Sequence, residues 1–376
     1  MGHLRQAKYG NLIGEYDWEL VYGEARFTDS DALSVGDRTI RATTFLVASG
    51  ARPSIPAIPG LDTASYLTST EALDLKQVPR SLVIIGAGYI ALELGQLFSH
   101  LGSEVTLLQR GERLLPDYEP EIGEAVGTML ARTGIRVLTS THVQRVERDD
   151  QGRRLYIETN GVPAVLETEH ILVAAGRSPN VETLNLSAAG VETDRRGAVI
   201  VDAQLRTTTP HIFAAGDVTL CPQYVYVAAY QGGLAAENAL NGTNRPCDLR
   251  ALPGVIFTDP QVATVGLTVQ QAQAAGRHVK SAVLPIGAVP RAQVNYEDVG
   301  TFKLVANAAT NQVLGVHIVA GNAGDVIYAA TLAVKHGLTV TDLTESFAPY
   351  LTMAEGLKLG ALAFDRDVSK LSCCAA

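Results

Sequence analysis

Ser81-Leu-Val-Ile-Ile-Gly86-Ala-Gly88-Tyr89-Ile-Ala91-Leu-Glu93 carries the strongest pattern in the chain. Four apolar residues run into two glycines, and an apolar-periodic segment continues through Gln96, Leu97, Phe98 and Leu101. The pattern predicts a buried strand, a tight turn and a helix. In such a unit the first glycine, Gly86, permits the turn. The second, Gly88, lets a pyrophosphate approach the backbone at the helix N-terminus, where free N–H groups and the helix dipole favour anions. Ala91 stands at the third position and is small enough for close helix–strand packing. A second strand is expected at Glu104 to Gln109, where a dinucleotide fold needs it.

The end of that second strand bears on which dinucleotide binds. An acidic residue there would hold the ribose hydroxyls of NAD. This chain has Arg110 instead, with Arg113 just beyond, so a 2′-phosphate would meet positive charge. NADPH is the expected cofactor; the alternative is that both arginines are solvated loop residues.

The chain has 376 residues, 47% of them hydrophobic, with 35 glycines, which suits an α/β protein with many tight turns. A net charge of −9 without a basic stripe argues against a nucleic-acid partner. No stretch approaches the ~18 uninterrupted apolar residues of a membrane span, and the start lacks a signal peptide's apolar centre. Four scattered cysteines do not form a secreted disulfide framework, so a cytoplasmic location is expected.

Around the glycine unit the chain divides readily. Short strand-like pieces at Glu19 to Tyr22 and Glu24 to Phe27 lead to a buried strand ending at Gly50, followed by Pro53, Pro56 and Pro59-Gly60 as an extended connection. This resembles the back half of a domain, residues 1–75. The nucleotide unit occupies 76–178: a helix from Pro120 to Thr133, a strand to Leu138, an antiparallel hairpin around Val143 to Glu147 and Arg154 to Glu158, and a buried strand ending at Gly176. The first domain then resumes over 179–250, with Ala214-Ala-Gly216-Asp217 and a helix from Val225 to Leu240. After Pro253 a strand–turn–strand, a further hairpin at Phe302 to Ala306 and Leu314 to Val319, and helices at Gly324 to Lys335 and Met353 to Ala363 mark an α+β unit, 251–376. The expected fold class is α/β, with two nested dinucleotide-binding, Rossmann-like domains followed by the α+β domain.

Val-Ala-Ser-Gly50, Gly86-Ala-Gly88-Tyr-Ile-Ala91, Ala-Ala-Gly176-Arg-Ser-Pro-Asn180 and Ala-Ala-Gly216-Asp217, in that order, resemble the flavin-dependent pyridine-nucleotide disulfide oxidoreductases over essentially the whole chain. The resemblance implies FAD beside NADPH, with Asp217 on the ribityl–phosphate region. It implies that Tyr89 gates the nicotinamide pocket, with Glu93 nearby on one helical face; on composition alone these are a core aromatic and a surface charge. The last unit becomes a dimerisation domain that completes the partner's active site.

Members that reduce disulfides carry a His-Pro pair in this domain. Here Phe347-Ala-Pro-Tyr350-Leu351-Thr352-Met-Ala-Glu355 places tyrosine and leucine at those positions, while Thr352 and Glu355 match. A phenol, with an unperturbed pKa of about 10, is a poor proton shuttle at neutral pH. The chain ends Cys373-Cys374-Ala-Ala, and adjacent mobile thiols suit capture of a soft ion. The ending also satisfies a C-a-a-X prenylation pattern, which nothing else accompanies. Tyr350 with the Cys-Cys tail resembles the mercury-reducing branch of the family, and Tyr9 falls where that branch has a second active-site tyrosine. Cys221 and Cys247 read as incidental thiols.

The resemblance implies reduction of Hg(II) to Hg(0) by NADPH through FAD and a redox dithiol in a homodimer, with Cys373 and Cys374 holding the metal. The family's own flavin glycine motif and its Cys-x4-Cys pair are missing from these 376 residues. The expectation is therefore a fragment that binds NADPH and Hg(II) without turnover. A dihydrolipoyl- or glutathione-type reductase is the enzyme alternative.

Overall fold

The computed structural model describes residues 10–12, 14–16, 18–150 and 152–370. They form two compact units, one of residues up to Arg52 with Arg177–Cys247, the other of Pro53–Gly176 with Asp248 onward.

In the first unit an antiparallel meander joins Ala25–Asp29, Ala32–Val35 and Arg38–Arg41. Phe45–Val47 pairs in parallel with Ile212–Ala214. Phe27, Val47, Leu186, Val199 and Ile212 bury against one another, with the Phe27 and Phe45 rings edge to face at 5.3 Å. The helix Val225–Asn241 adds Leu234 and Ala235 to a second small core with Phe213. The strand expected at Glu19 to Tyr22 does not form. Tyr22 is 87% and Leu20 51% exposed, so the segment has no apolar face to bury and no partner strand to satisfy its backbone.

The second unit is built on a four-stranded parallel sheet in the order His170–Val173, Ser81–Ile85, Glu104–Leu108, Arg136–Leu138. Its central strands are near-continuous apolar runs because both faces are covered. The helix Tyr89–His100 packs Ala91, Leu92, Gly95 and Phe98 inward; Gly95 lets the helix approach Ile84 and Leu107 closely. The expected hairpin of Thr141–Asp149 and Gly152–Thr159 is present, and Val162–Thr168 adds a third strand to it. From Pro253 a five-stranded antiparallel sheet runs in the order Pro253–Ile256, Gln261–Gly266, Val313–Ala320, Thr301–Asn307, Val279–Pro285. The helices Ala323–His336 and Glu355–Leu362 bury their apolar faces in the same core as this sheet.

Candidate functional site

The carboxyl ends of the parallel strands open into a cleft of about 680 Å³ lined by Gly86, Gly88, Gln109, Arg110, His142 and Gly176 among others. Open α/β sheets bind ligands at this edge. Gly86 N–H donates to Leu108 O at 2.9 Å, fixing the turn to the neighbouring strand. The turn needs glycine: φ is +117°, and an added Cβ would stand 2.3 Å from Ala174 O. Gly88 N-caps the helix without a side-chain cap, and the space a Cβ would enter there is open. The orphan N–H groups of that first turn are therefore offered to a ligand. A dinucleotide pyrophosphate fits this cradle on geometry and on chemistry.

The sequence-derived residues are distributed as follows. Gly86, Gly88, Arg110 and Gly176 line the cleft. Ala91 is fully buried on the inner face of the helix Tyr89–His100. Arg113 is outside the lining; its guanidinium donates to Pro116 O within its own loop. Tyr89 is 37% exposed and borders a separate polar cavity of about 200 Å³ with Asp117, Tyr118, Thr264, Thr268 and His317. Tyr118 Oη donates to Tyr89 Oη at 2.6 Å. Glu93 accepts the Phe257 N–H at 2.9 Å, tying the helix to the C-terminal segment. Gln96 does the same at Asp259, accepting its N–H at 2.6 Å and donating to its carbonyl at 2.9 Å.

In the other unit, Gly50 has φ +72°. Asp217 lies 3.6 Å from Arg177 Nε, a buried nitrogen with no hydrogen-bond partner. Gly216 N–H is held by Gln231 Oε1 at 2.8 Å. These groups fit one edge of a flavin site. The described residues of this unit contain no glycine-turn helix to take its pyrophosphate, so they do not furnish a complete FAD pocket. Tyr350 is 61% exposed in a turn braced by the Leu351 N–H to Glu355 carboxylate bond at 2.8 Å. Tyr9, Cys373 and Cys374 lie outside the described residues.

Sequence reading missed a buried ionic cluster beside the second cavity. Lys303 and His317 are direct cross-strand partners, and Lys303 Nζ lies 2.8 Å from both Glu119 and Glu121. Burial works against the charged ammonium, yet the two carboxylates win and hold the Lys303 pKa above its usual value. Burial likewise opposes the Glu121 carboxylate, and the Lys303 hydrogen bond overrides it, lowering that pKa. Burial pushes the His317 pKa down; its Nε2 meets Leu267 O at 3.2 Å while Nδ1 has no partner. A lysine and a histidine interrupting two apolar strands were the available signal.

A glycine-turn nucleotide unit set between two segments of another domain, and followed by an α+β sheet, defines a pyridine-nucleotide-linked reductase. The chain matches the family described as pyridine nucleotide-disulphide oxidoreductase over residues 3–232 and that family's dimerisation domain over 252–361. It belongs to this family, flavoenzymes whose cofactors are FAD and a nicotinamide dinucleotide. It is 56% identical to the mercuric reductase of Staphylococcus aureus over 100% of this chain and 69% of that protein. With the mercuric reductase of Bacillus cereus the identity is 57%, over 99% of this chain and 59% of that protein. Among solved structures, the HOCl-induced flavoprotein disulfide reductase RclA from Escherichia coli superposes with a TM-score of 0.87 at 28% identity, over 96% of this chain and 83% of that one.

Proposed function

We propose that this chain serves NADPH-dependent reduction of Hg(II) to Hg(0) in a cytoplasmic homodimer, a mercury-detoxifying role. The observation that supports this reading is the similarity to mercuric reductases along the whole of this chain, which spans 69% and 59% of the length of the two relatives. The tail Cys373-Cys374 and the tyrosine at 350 support it. When bound, NADPH would supply a hydride equivalent, and the family's flavin would be its acceptor where the flavin pocket is complete. The protein's part is to bind, orient and exclude water. Gly86, Gly88 and the first turn of the helix cradle the pyrophosphate, Arg110 takes the 2′-phosphate, and Tyr89 covers the nicotinamide with Glu93 bracing the same helix. Ala91 keeps that helix close to the sheet, and Arg113 fixes the loop that presents Arg110. Gly50 and Asp217 serve the flavin edge, and Gly176 borders the nucleotide cleft.

On this reading Tyr9 and Tyr350 help to position or desolvate the metal, and Cys373 and Cys374 receive Hg(II) as thiolates and release it by exchange with other thiols. An exposed phenol suits desolvation of a soft ion better than proton transfer, which disfavours a dithiol–disulfide substrate. The match to the family's dimerisation domain over residues 252–361 supports the homodimer. No described helix is long and apolar enough to cross a membrane.

Residues 1–376 hold no Cys-x4-Cys pair to act as the redox dithiol, so by themselves they are expected to bind NADPH and Hg(II) without turnover. Mass spectrometry against a competing monothiol tests the metal role. One Hg(II) should be retained, and Cys373→Ala/Cys374→Ala should abolish it. Equal retention in the double variant would remove the tail from the mechanism. NADPH-dependent turnover by the isolated 376 residues would refute the inactivity.

A further inference from the structure

Tyr89 opens the helix at the glycine turn, yet its ring is not among the side chains that line the dinucleotide cleft. It is drawn toward the neighbouring polar cavity instead, where Tyr118 Oη donates to its hydroxyl at 2.6 Å. The two rings meet edge to face, 6.2 Å apart at 87°, a favourable aromatic geometry. Tyr118 is itself fixed. Its N–H donates to Leu115 O at 2.9 Å. The adjoining Glu119 is 3% exposed, and its carboxylate binds Lys303 Nζ at 2.8 Å and the Val269 N–H at 2.5 Å. An anchored phenol thus holds one on the first residue of the nucleotide helix.

We propose that Tyr118 is a positioning residue that keeps the Tyr89 ring aside from the dinucleotide cleft and so sets how readily the nicotinamide end of NADPH enters. This rests on the reading that Tyr89 covers the nicotinamide. Without the Tyr118 hydroxyl, Tyr89 samples positions over the cleft and competes with that end of the cofactor. The adenosine end, held by Arg110 and the glycine turn, is indifferent.

The test is a set of titrations of the full chain with two probes, NADPH and adenosine 2′,5′-bisphosphate, the second lacking the nicotinamide. Tyr118→Phe should weaken NADPH binding about three- to tenfold, the range of one neutral hydrogen bond. It should leave the bisphosphate unchanged and add nothing once Tyr89→Phe has removed the other hydroxyl. Equal loss for both probes would mean general loosening and overturn the proposal. So would an effect of Tyr118→Phe that persists undiminished in Tyr89→Phe, or no effect at all. Tyr89→Ala separates the two ideas. If it shifts NADPH affinity while Tyr118→Phe does not, the cover stands and the positioning falls. If Tyr89→Ala leaves NADPH affinity untouched, the covering role itself is lost.

Discussion

Lys303 Nζ sits 2.8 Å from Glu119 Oε2, with the lysine side chain 7% and the glutamate 3% exposed. The lysine comes from the five-stranded sheet and the glutamate caps the helix Pro120–Arg132 of the nucleotide segment. The ion pair therefore fastens two segments of one unit, and Glu121 completes it from the same helix.

Removing one partner of a buried pair leaves the other charge uncompensated. Lys303→Met should destabilise the second unit by about 3–5 kcal/mol, because the buried Glu119 carboxylate loses its cation; Glu121, 34% exposed, stays partly solvated and adds little. Urea unfolding followed by circular dichroism would read this as a lowered midpoint at unchanged slope. The exposed pair of Arg132 and Asp298 is the internal contrast, and Arg132→Ala should leave the midpoint where it was. A Lys303→Met midpoint equal to wild type would mean the cluster contributes nothing to stability.

His317 makes the same region pH-sensitive. Burial lowers its pKa below the ordinary 6.5, so the unfolded chain binds the proton more readily than the folded one. Stability should consequently fall as pH drops below about 6.5 and level off beneath the folded value, with a slope of at most about 1.4 kcal/mol per pH unit from this group. His170, also lowered by burial, acts in the same direction. The diagnostic quantity is thus the difference between wild type and His317→Gln from pH 7 to 5. The wild type should lose more stability over that span, and parallel curves would sink the assignment.

Much of the fold was legible because its signals are contiguous. The apolar run Ser81–Ile85 followed by Gly86 and Gly88 states strand, turn and helix within a dozen residues. Four strands of the last sheet were readable as short apolar runs between turns, whereas Val279–Pro285 was not read. Val162–Thr168 escaped notice because Val162 and Val165 are 64% and 49% exposed, so its pattern lacks a buried face. Site residues divide the same way. Arg110 was visible at the end of a predicted strand. The Tyr118–Tyr89 bond joins side chains 29 residues apart and the Lys303–Glu121 pair spans 182, distances over which local pattern carries no information. Arg113 is of the same residue type but lies five positions past the strand end, and its guanidinium turns back onto its own loop.

The two glycines of the turn should respond differently to the same change. At Gly86 an alanine Cβ meets the Ala174 backbone at 2.3 Å in a left-handed conformation. Gly86→Ala should lower the melting temperature, costing more than about 1 kcal/mol. At Gly88 φ is −82° and nothing lies near the new methyl, so Gly88→Ala should fold normally. Its methyl occupies the approach of the pyrophosphate, so NADPH affinity should still fall. Thermal scans paired with NADPH titration separate the two, and an undiminished affinity in Gly88→Ala would place the pyrophosphate elsewhere.

On the proposed reading, cofactor choice depends on Arg110, which lines the cleft, more than on Arg113, which does not. A guanidinium binding a phosphate dianion makes charge-assisted hydrogen bonds, and an acid in its place would repel the phosphate while accepting from ribose hydroxyls. Arg110→Glu should weaken NADPH binding by roughly 1.5–3 kcal/mol, about ten- to hundredfold, and leave NADH binding level or improved. Arg113→Ala should weaken NADPH binding less, through the loop that its bond to Pro116 O steadies. Fluorescence titration of the chain with each nucleotide measures both ratios directly, and kcat/KM for the two nucleotides repeats the test in an assembled flavoenzyme. Wild-type chain binding NADH as tightly as NADPH would refute the 2′-phosphate assignment. An Arg113→Ala loss equal to that of Arg110→Glu would move the phosphate contact to the loop.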